Sequence, residues 1–450
     1  MINRRDFLKQ AAASAALLSL GEFDLGAAPA KARVLGANEI IRIGVAGVNS
    51  RGRAIAQTLS KMPLCEVVCI CDCDLNAMAR CQETVRKVSG KMPRGEQDYR
   101  RMLEDKDIDA VAIAMPDHWH ATAAIMAMQA GKHVYLEKPT SHNPAENEML
   151  LKAAAKYHRC VVAVGTQRRS WPNVVAAMDE VRSGALGEVH FAKSWLTSNR
   201  PSIGRGKVVP VPAHLNWDFW QGPAARGPEY KDNLVHYNWH WFWHWGTGEA
   251  LNNGTHFIDL LRMGLGLDYP TEVTSVGGRY HFRDDDWECP DTQLVTFQFA
   301  DKATLSWEGR SCDGTPVEGL KSGVAFYGDK GLTLIVSGGN AYQIVDRQGK
   351  VVKDVKSELE FKEGDTVNPS ERLDMFHFQN WFDVIRGKET KLNASLRDGC
   401  ISTQLMQLGN IAQRVGHSLN VDPATGRIID DSAAQKLWSR EYDPKWAPKI

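Results

Sequence analysis

The chain has 450 residues, 43% of them hydrophobic and 24% charged, which is enough for two domains with cores of their own. Lysine plus arginine and aspartate plus glutamate each total 54. This balance excludes the basic excess that nucleic acid or an anionic membrane surface requires, and it leaves small neutral ligands open.

The first thirty or so residues have the layout of an export signal. Asn3-Arg4-Arg5-Asp6-Phe7-Leu8-Lys9 pairs two arginines with Phe-Leu, an Ala/Leu-rich run follows from Ala11 to Leu20, and Ala28-Pro29-Ala30 supplies small residues for a peptidase. Residues 1–32 are therefore expected to be a twin-arginine signal peptide addressing the chain to the periplasm or cell envelope. The apolar run is too short for a stable membrane span, and no later stretch is long enough either. Nine cysteines cannot all pair within the chain. Cys65, Cys69, Cys71, Cys73 and Cys81 crowd one short region, three of them alternating along an apolar run, in a spacing that fits no zinc site, so core packing is expected of them.

From Ile40 to Cys160 short apolar runs alternate with helical stretches. Ile41–Ala46, Glu66–Cys71, Ala110–Ala114 and Cys160–Val164 read as strands; Arg53–Lys61, Thr122–Ala130 and Ala145–Tyr157 read as helices. This alternation predicts a Rossmann-type doubly wound parallel sheet, an α/β domain over residues 38–165. The first strand ends in Gly47-Val48-Asn49-Ser50-Arg51-Gly52, a dinucleotide fingerprint with Asn49 in place of the middle glycine. Asparagine tolerates positive φ, so the turn is expected to survive. Asp72 lies twenty residues past Gly52, at the end of the next strand, where a carboxylate accepts hydrogen bonds from the adenosine ribose and repels a 2′-phosphate. NAD is therefore favoured over NADP.

The most specific residues come next: Pro116-Asp117-His118-Trp119-His120, and Glu137-Lys138-Pro139 at the end of a strand. With Gly165-Thr166-Gln167-Arg168-Arg169, Asn216–Pro223 and Gly254-Thr255-His256-Phe257-Ile258-Asp259 in this order, the chain resembles the Gfo/Idh/MocA oxidoreductases over nearly its whole mature length. The resemblance implies a second α/β domain over residues 166–450 with an open, largely antiparallel sheet facing the nicotinamide. The sequence agrees: Glu188–Trp195, Glu272–Tyr280, Gln293–Phe299, Ala303–Glu308, Gly323–Tyr327 and Leu332–Val336 read as turn-punctuated strands. Leu373–Val415 reads as helices returning to the first domain.

The same resemblance implies site residues. Lys138 matches the catalytic lysine, able to steady charge on the sugar oxygen, and the bond before Pro139 is expected to be cis. Glu137 would touch the nicotinamide ribose, Gln167 and Arg168 would line the nicotinamide pocket, and Pro116 and His120 would belong to the cofactor site. His256 matches the acid/base histidine. The family's aspartate four residues earlier is replaced by Asn252, which can orient an imidazole but cannot take its proton. Glu249, two helical turns before His256, and Asp259, one turn after, are the candidate substitutes. Homo-oligomers are expected from the second-domain sheet.

Seven of the fourteen tryptophans lie between Trp195 and Trp245. Their rings suit either a carbohydrate cleft or core and interface packing. His236, His240 and His244 recur every four residues and would share a face if helical; no acidic ligand is fixed beside them, and no metal site is assigned. Together these features predict NAD-dependent oxidation of a ring hydroxyl on a sugar or glycoside, with tightly held cofactor. The alternatives are redox-assisted glycoside cleavage and a non-catalytic sugar-binding protein on an inherited fold.

Overall fold

The structure, a computed structural model, describes residues 35–36, 38–362 and 370–450. The expected export segment, residues 1–32, lies outside the described residues.

The first half is a parallel sheet of β1 (Ile41–Ala46), β2 (Cys65–Cys71), β3 (Arg94–Glu96), β4 (Ala110–Ile113), β5 (His133–Leu136) and β6 (Val162–Val164) in the order β3-β2-β1-β4-β5-β6. The chain order reverses between β1 and β4, which opens a crevice at the carboxyl ends of these strands. The crossovers are α1 (Arg51–Leu59), α2 (Leu75–Ser89), α3 (Tyr99–Glu104), α4 (Asp117–Gln129) and α5 (Pro144–Lys156). Local chemistry sets their ends. Asp74 caps α2 by accepting from the N–H groups of Asn76 and Ala77, Gly90 ends it in the left-handed region, and Asn143 caps α5 with Pro144 at its first position. Helix α4 begins at Asp117, five residues earlier than its apolar pattern suggests, because Pro116 fixes the entry to it.

The second half holds α6 (Pro172–Arg182), β7 (Val189–Thr197), α7 (Trp217–Gln221) and α8 (Thr255–Leu265), then strands β8 (Glu272–Gly278), β9 (Thr292–Phe299), β10 (Ala303–Arg310), β11 (Ser322–Gly328), β12 (Leu332–Ser337), β13 (Tyr342–Asp346) and β14 (Val351–Val355). Helices α9 (Glu371–Ile385) and α10 (Leu396–Val415), the short β15 (Leu419–Asn420) and α11 (Ser432–Gln435) follow. The sheet order among the described residues is β14-β13-β12-β11-β7-β10-β9-β8-β15, antiparallel except for the β7–β10 pair. The sequence missed β13 and β14; β14 is an edge strand with four of its five side chains exposed, so it lacks the alternation that marks a buried face.

Helices α9 and α10 tie the halves together. Phe378, Trp381 and Phe382 of α9 are buried against Ile41, Ile43 and Val45 of β1, while Leu396 and Cys400 of α10 join the cluster on the sheet's other face. Truncating a side chain as enclosed as Trp381 costs about 3–5 kcal/mol. All nine cysteines are free thiols. Cys69, Cys71 and Cys81 are buried as expected, whereas Cys65 and Cys73 are only partly buried, and burial pushes the Cys81 thiol up to about 12.

Candidate active site

A cavity open to solvent, about 1340 Å³ with its mouth included, occupies the crevice and runs between the two halves. Its first end is the turn after β1. Gly47 has φ +78°, and a Cβ there would meet the Met115 nitrogen at 2.5 Å; a Cβ on Gly52 would meet the Gly47 carbonyl oxygen at 2.0 Å. Both glycines are thus required by close backbone approach. The turn survives as expected, although Asn49 itself does not adopt positive φ. The turn is achieved at Gly47 alone, and the Asn49 side chain accepts from Arg80 at 2.9 Å. Ser50, at the start of α1, makes no side-chain cap, so the first turn of that helix stays open toward the cavity that Asn49, Ser50 and Arg51 line.

Asp72 sits at the end of β2 on the same cavity. Its two oxygens accept from the N–H groups of Val48 (2.6 Å) and Asp74 (2.9 Å). Burial pushes its carboxyl up, and those two N–H groups oppose the rise. A cradle with no room for Cβ, an uncapped helix start and a carboxylate held at the next strand end fit the pyrophosphate and adenosine ribose of a dinucleotide.

The middle of the cavity is lined by Pro116, His120 and Glu137. His120 is fixed by the carbonyls of Pro139 (2.5 Å) and Met115 (2.7 Å). Glu137 accepts from Arg51 at 2.9 Å, and Arg51 reaches on to Asp374 of α9 at 2.8 Å. The Lys138–Pro139 bond is cis, as expected.

At the far end Lys138 donates to the main-chain carbonyl of Asn252 at 2.6 Å. Asn252 lies in a π turn, Ala250–Gly254, that leads directly into α8. A π turn disturbs the helical ladder, and such turns recur at functional sites. Burial lowers the pKa of Lys138. His256, on the first turn of α8, lines the same cavity. Burial, then the charges of Arg168 and Lys138, push its pKa well below the ordinary imidazole value, so the ring is neutral. Its Nδ1 has no hydrogen-bond partner among the described residues.

Three expectations need correction. Arg168 does not line the cavity: its guanidinium donates to the Gly338 carbonyl (3.0 and 3.2 Å) and packs 5.0 Å from the Phe257 ring, while Gln167 beside it does reach the cavity. Glu249 makes no hydrogen bond to His256, because its carboxylate is taken by Arg200 at 2.6 Å and by the Asn253 amide. Asp259 is gripped by Arg169 (2.7 and 2.9 Å) and Ser402 (2.6 Å). The side chain of Asn252 turns to Tyr237 and Glu249, each at 3.4 Å.

The three spaced histidines do not share a helix face. His236 bonds Asp74 (2.6 Å), His240 the Tyr237 carbonyl (2.6 Å) and His244 the Ala225 carbonyl (2.9 Å). Their segment forms only a short 3-10 turn, Asn238–Trp241. His236, Tyr237, Trp239 and His240 line the cavity. The tryptophans divide as the sequence left open: Trp119, Trp220, Trp239 and Trp446 reach the cavity, whereas Trp241 stacks on Trp287 at 4.0 Å in a core. The His236–Asp74 and Arg200–Glu249 pairs escaped the sequence reading, being 162 and 49 residues apart.

Comparison with known proteins agrees with this geometry. Residues 41–166 match the Gfo/Idh/MocA oxidoreductase family's NAD-binding Rossmann fold, and residues 204–421 match that family's C-terminal alpha/beta domain. A glycosyl hydrolase family 109 protein from Saccharopolyspora erythraea is 28% identical over 204 residues, a match spanning 42% of this chain and 44% of that protein's length. Among solved structures, levoglucosan dehydrogenase in complex with NADH and levoglucosan superposes with TM-score 0.64 at 17% identity, covering 85% of this chain and 99% of that one. The WlbA dehydrogenase from Bordetella pertussis, in complex with NADH and UDP-GlcNAcA, gives TM-score 0.63 at 18% identity, covering 85% and 98%. With both domain profiles matched in order over more than half its length, this chain belongs to the Gfo/Idh/MocA oxidoreductase family.

Proposed function

We propose that the protein oxidises a ring hydroxyl of a sugar or glycoside with NAD as its cofactor. The observation that carries this reading is that Lys138 and His256, from different halves of the chain, line one cavity whose other end holds the glycine turn and Asp72. Gly47, Ser50 and Asp72 would hold the dinucleotide, and the Asp72 carboxylate favours NAD by repelling a 2′-phosphate. When bound, NAD supplies the two-electron acceptor for the hydrogen leaving the carbinol carbon.

The chain's own residues manage the hydroxyl proton. Burial raises the neutral fraction of Lys138, so its amine accepts that proton, and the Asn252 carbonyl holds the resulting ammonium. In the reverse direction the ammonium donates to the carbonyl oxygen of the ketone. The neutral His256 orients the hydroxyl by hydrogen bonding. Trp239 and His240, stacked 3.6 Å apart at the cavity wall, offer a flat apolar face to the C–H side of a sugar ring. The exposed Val276 and Leu294, paired across β8 and β9, support a homo-oligomer formed through the open sheet.

The similarity to the glycosyl hydrolase family 109 protein favours a second reading of the same site. Here oxidation is transient: the C–H beside the new carbonyl becomes acidic and loses its proton, the aglycone leaves as an alcohol, water adds across the resulting double bond, and reduction of the ketone by the same cofactor restores the hydroxyl, so the net reaction is hydrolysis. One experiment separates the readings. Purified protein with NAD is incubated with a panel of free sugars and aryl glycosides, and products are followed by mass spectrometry and nicotinamide absorbance. A keto-sugar with reduced cofactor is the expected result; free aglycone without net absorbance change selects the second reading. No product from any member of the panel contradicts both.

A further inference from the structure

We propose that a second cleft, across a wall from the cofactor cavity, binds a small molecule carrying an oxyanion, a carboxylate or phosphate group. The cleft, open to solvent, spans about 1160 Å³ where Gln407, Asn410 and Arg414, one stripe of α10, meet the start of α5 and the tail segment Ser439–Glu441. One contact links the two: Thr247 lines this cleft, and its hydroxyl donates at 2.5 Å to Asp117, which lines the other cavity.

Arg414 carries the inference. Its guanidinium lies 5.1 Å from the Trp243 ring centroid and, among the described residues, has no hydrogen bond and no carboxylate within ion-pair distance. The carboxylate of neighbouring Glu288 is occupied by the Trp243 N–H at 2.8 Å. Arg414 is an exposed residue on the cleft, so its guanidinium is accessible to a ligand; partial desolvation lowers its pKa, and the charge of Glu288 opposes the fall.

The other two arginines of the cleft are compensated: Arg226 by Asp218 (2.5 Å) and Asp443 (2.8 Å), Arg440 by Glu146 (3.0 Å). Even so, the field stays positive at the imidazoles. His142 and His244 are lowered first by burial, and the charge of Arg440 lowers both further. Each donates its Nε2–H to a carbonyl, of Trp243 (3.1 Å) and Ala225 (2.9 Å). Glu441 is the one carboxylate among the lining residues, and it is exposed. A planar guanidinium with free N–H groups suits bidentate recognition of an oxyanion, and the Trp243 ring beside it suits the apolar part of the same ligand.

Calorimetric titration of the full chain, saturated with NAD so that its own phosphate-binding turn is filled, tests this with inorganic phosphate and with glucuronate. The proteins are wild type, Arg414→Gln, Arg414→Lys, Trp243→Ala and, as a control, Arg427→Gln, whose side chain pairs with Glu148 at the surface. The expected result is saturable binding to wild type and Arg427→Gln that weakens about tenfold or more in Arg414→Gln, with Arg414→Lys intermediate. Should Arg414→Gln not fold, the Arg414→Lys loss alone decides. Glucuronate binding more tightly than phosphate, with Trp243→Ala removing the difference, identifies a sugar acid as the source of the oxyanion; equal affinities identify a free anion. No saturable binding of either ligand up to roughly 10 mM, or binding indifferent to Arg414, overturns the proposal and leaves the reading of the cofactor cavity untouched.

Discussion

The Lys138 ammonium and the main-chain carbonyl of Asn252 meet at 2.6 Å, joining the end of β5 in the parallel sheet to the π turn before α8. The amine proposed to handle the substrate proton is therefore positioned by the other half of the molecule, through backbone that no side-chain replacement at Asn252 removes.

The side chain of Asn252 is a separate matter. Asn252→Asp puts a second carboxylate beside Glu249, 3.4 Å away in the present structure, and close to Lys138. Added negative charge favours the ammonium over the amine. The pH limb for sugar oxidation should move to higher pH, with about a tenfold loss of rate below it. A kcat/KM profile against pH checks this; an unmoved limb contradicts the assignment of that limb to Lys138.

Gly47→Ala forces a side chain into a left-handed position with a backbone nitrogen 2.5 Å away. The turn must open, and with it the start of α1. NAD affinity should fall at least about a hundredfold, measured by fluorescence titration. Retained affinity would mean that the dinucleotide does not lie on this turn.

Arg200→Gln leaves Glu249, 4% exposed, without its cation. Breaking a buried pair from one side costs about 3 kcal/mol, so Tm should drop by several degrees, and Arg200→Gln with Glu249→Gln should recover part of the loss. Differential scanning calorimetry of Arg200→Gln, Glu249→Gln and the double variant gives the answer. An additive double variant contradicts the pairing.

Six histidines are held neutral by burial: His118 and His240 at about 3, His377 at about 4, and His142, His244 and His256 lowered. Their unfolded value is about 6.5, so between pH 6.5 and 4 the unfolded chain binds more protons than the folded one. Their contribution is fully present above about pH 6.5 and is lost as pH falls toward the folded values, on the order of a few kcal/mol for each of the most buried. Asp72, Asp117 and Asp374, pushed up by burial, act in the opposite sense, three groups against six. Tm should therefore decline from pH 6.5 to 4, and His118→Gln should flatten the decline. A Tm constant across that interval contradicts the burial of these rings.

What could be read from the sequence was local. Gly47, Asp72 and the Glu137-Lys138-Pro139 triplet each sit at a strand end, and strand ends follow from short apolar runs and turn residues. Errors arose where a neighbour in sequence was assumed to be a neighbour in function. Gln167 and Arg168 are consecutive on a 3-10 turn, where successive side chains diverge by about a third of a circle; one enters the cavity and the other turns to Gly338. The four-residue spacing of His236, His240 and His244 means a shared face only in an α-helix, and the aromatic run there folds instead as a 3-10 turn and loops around its own ring contacts. The Arg200–Glu249 pair had no signature at all, because its partners meet only through tertiary packing.

The most direct measurement follows deuterium from the carbinol carbon of a labelled sugar that the panel identifies as a substrate. With wild-type protein and NAD, the label should appear on the nicotinamide within a single turnover, and Lys138→Met should slow its arrival by about a hundredfold or more. Label that never reaches the nicotinamide, or that arrives as fast without Lys138, contradicts oxidation at this site.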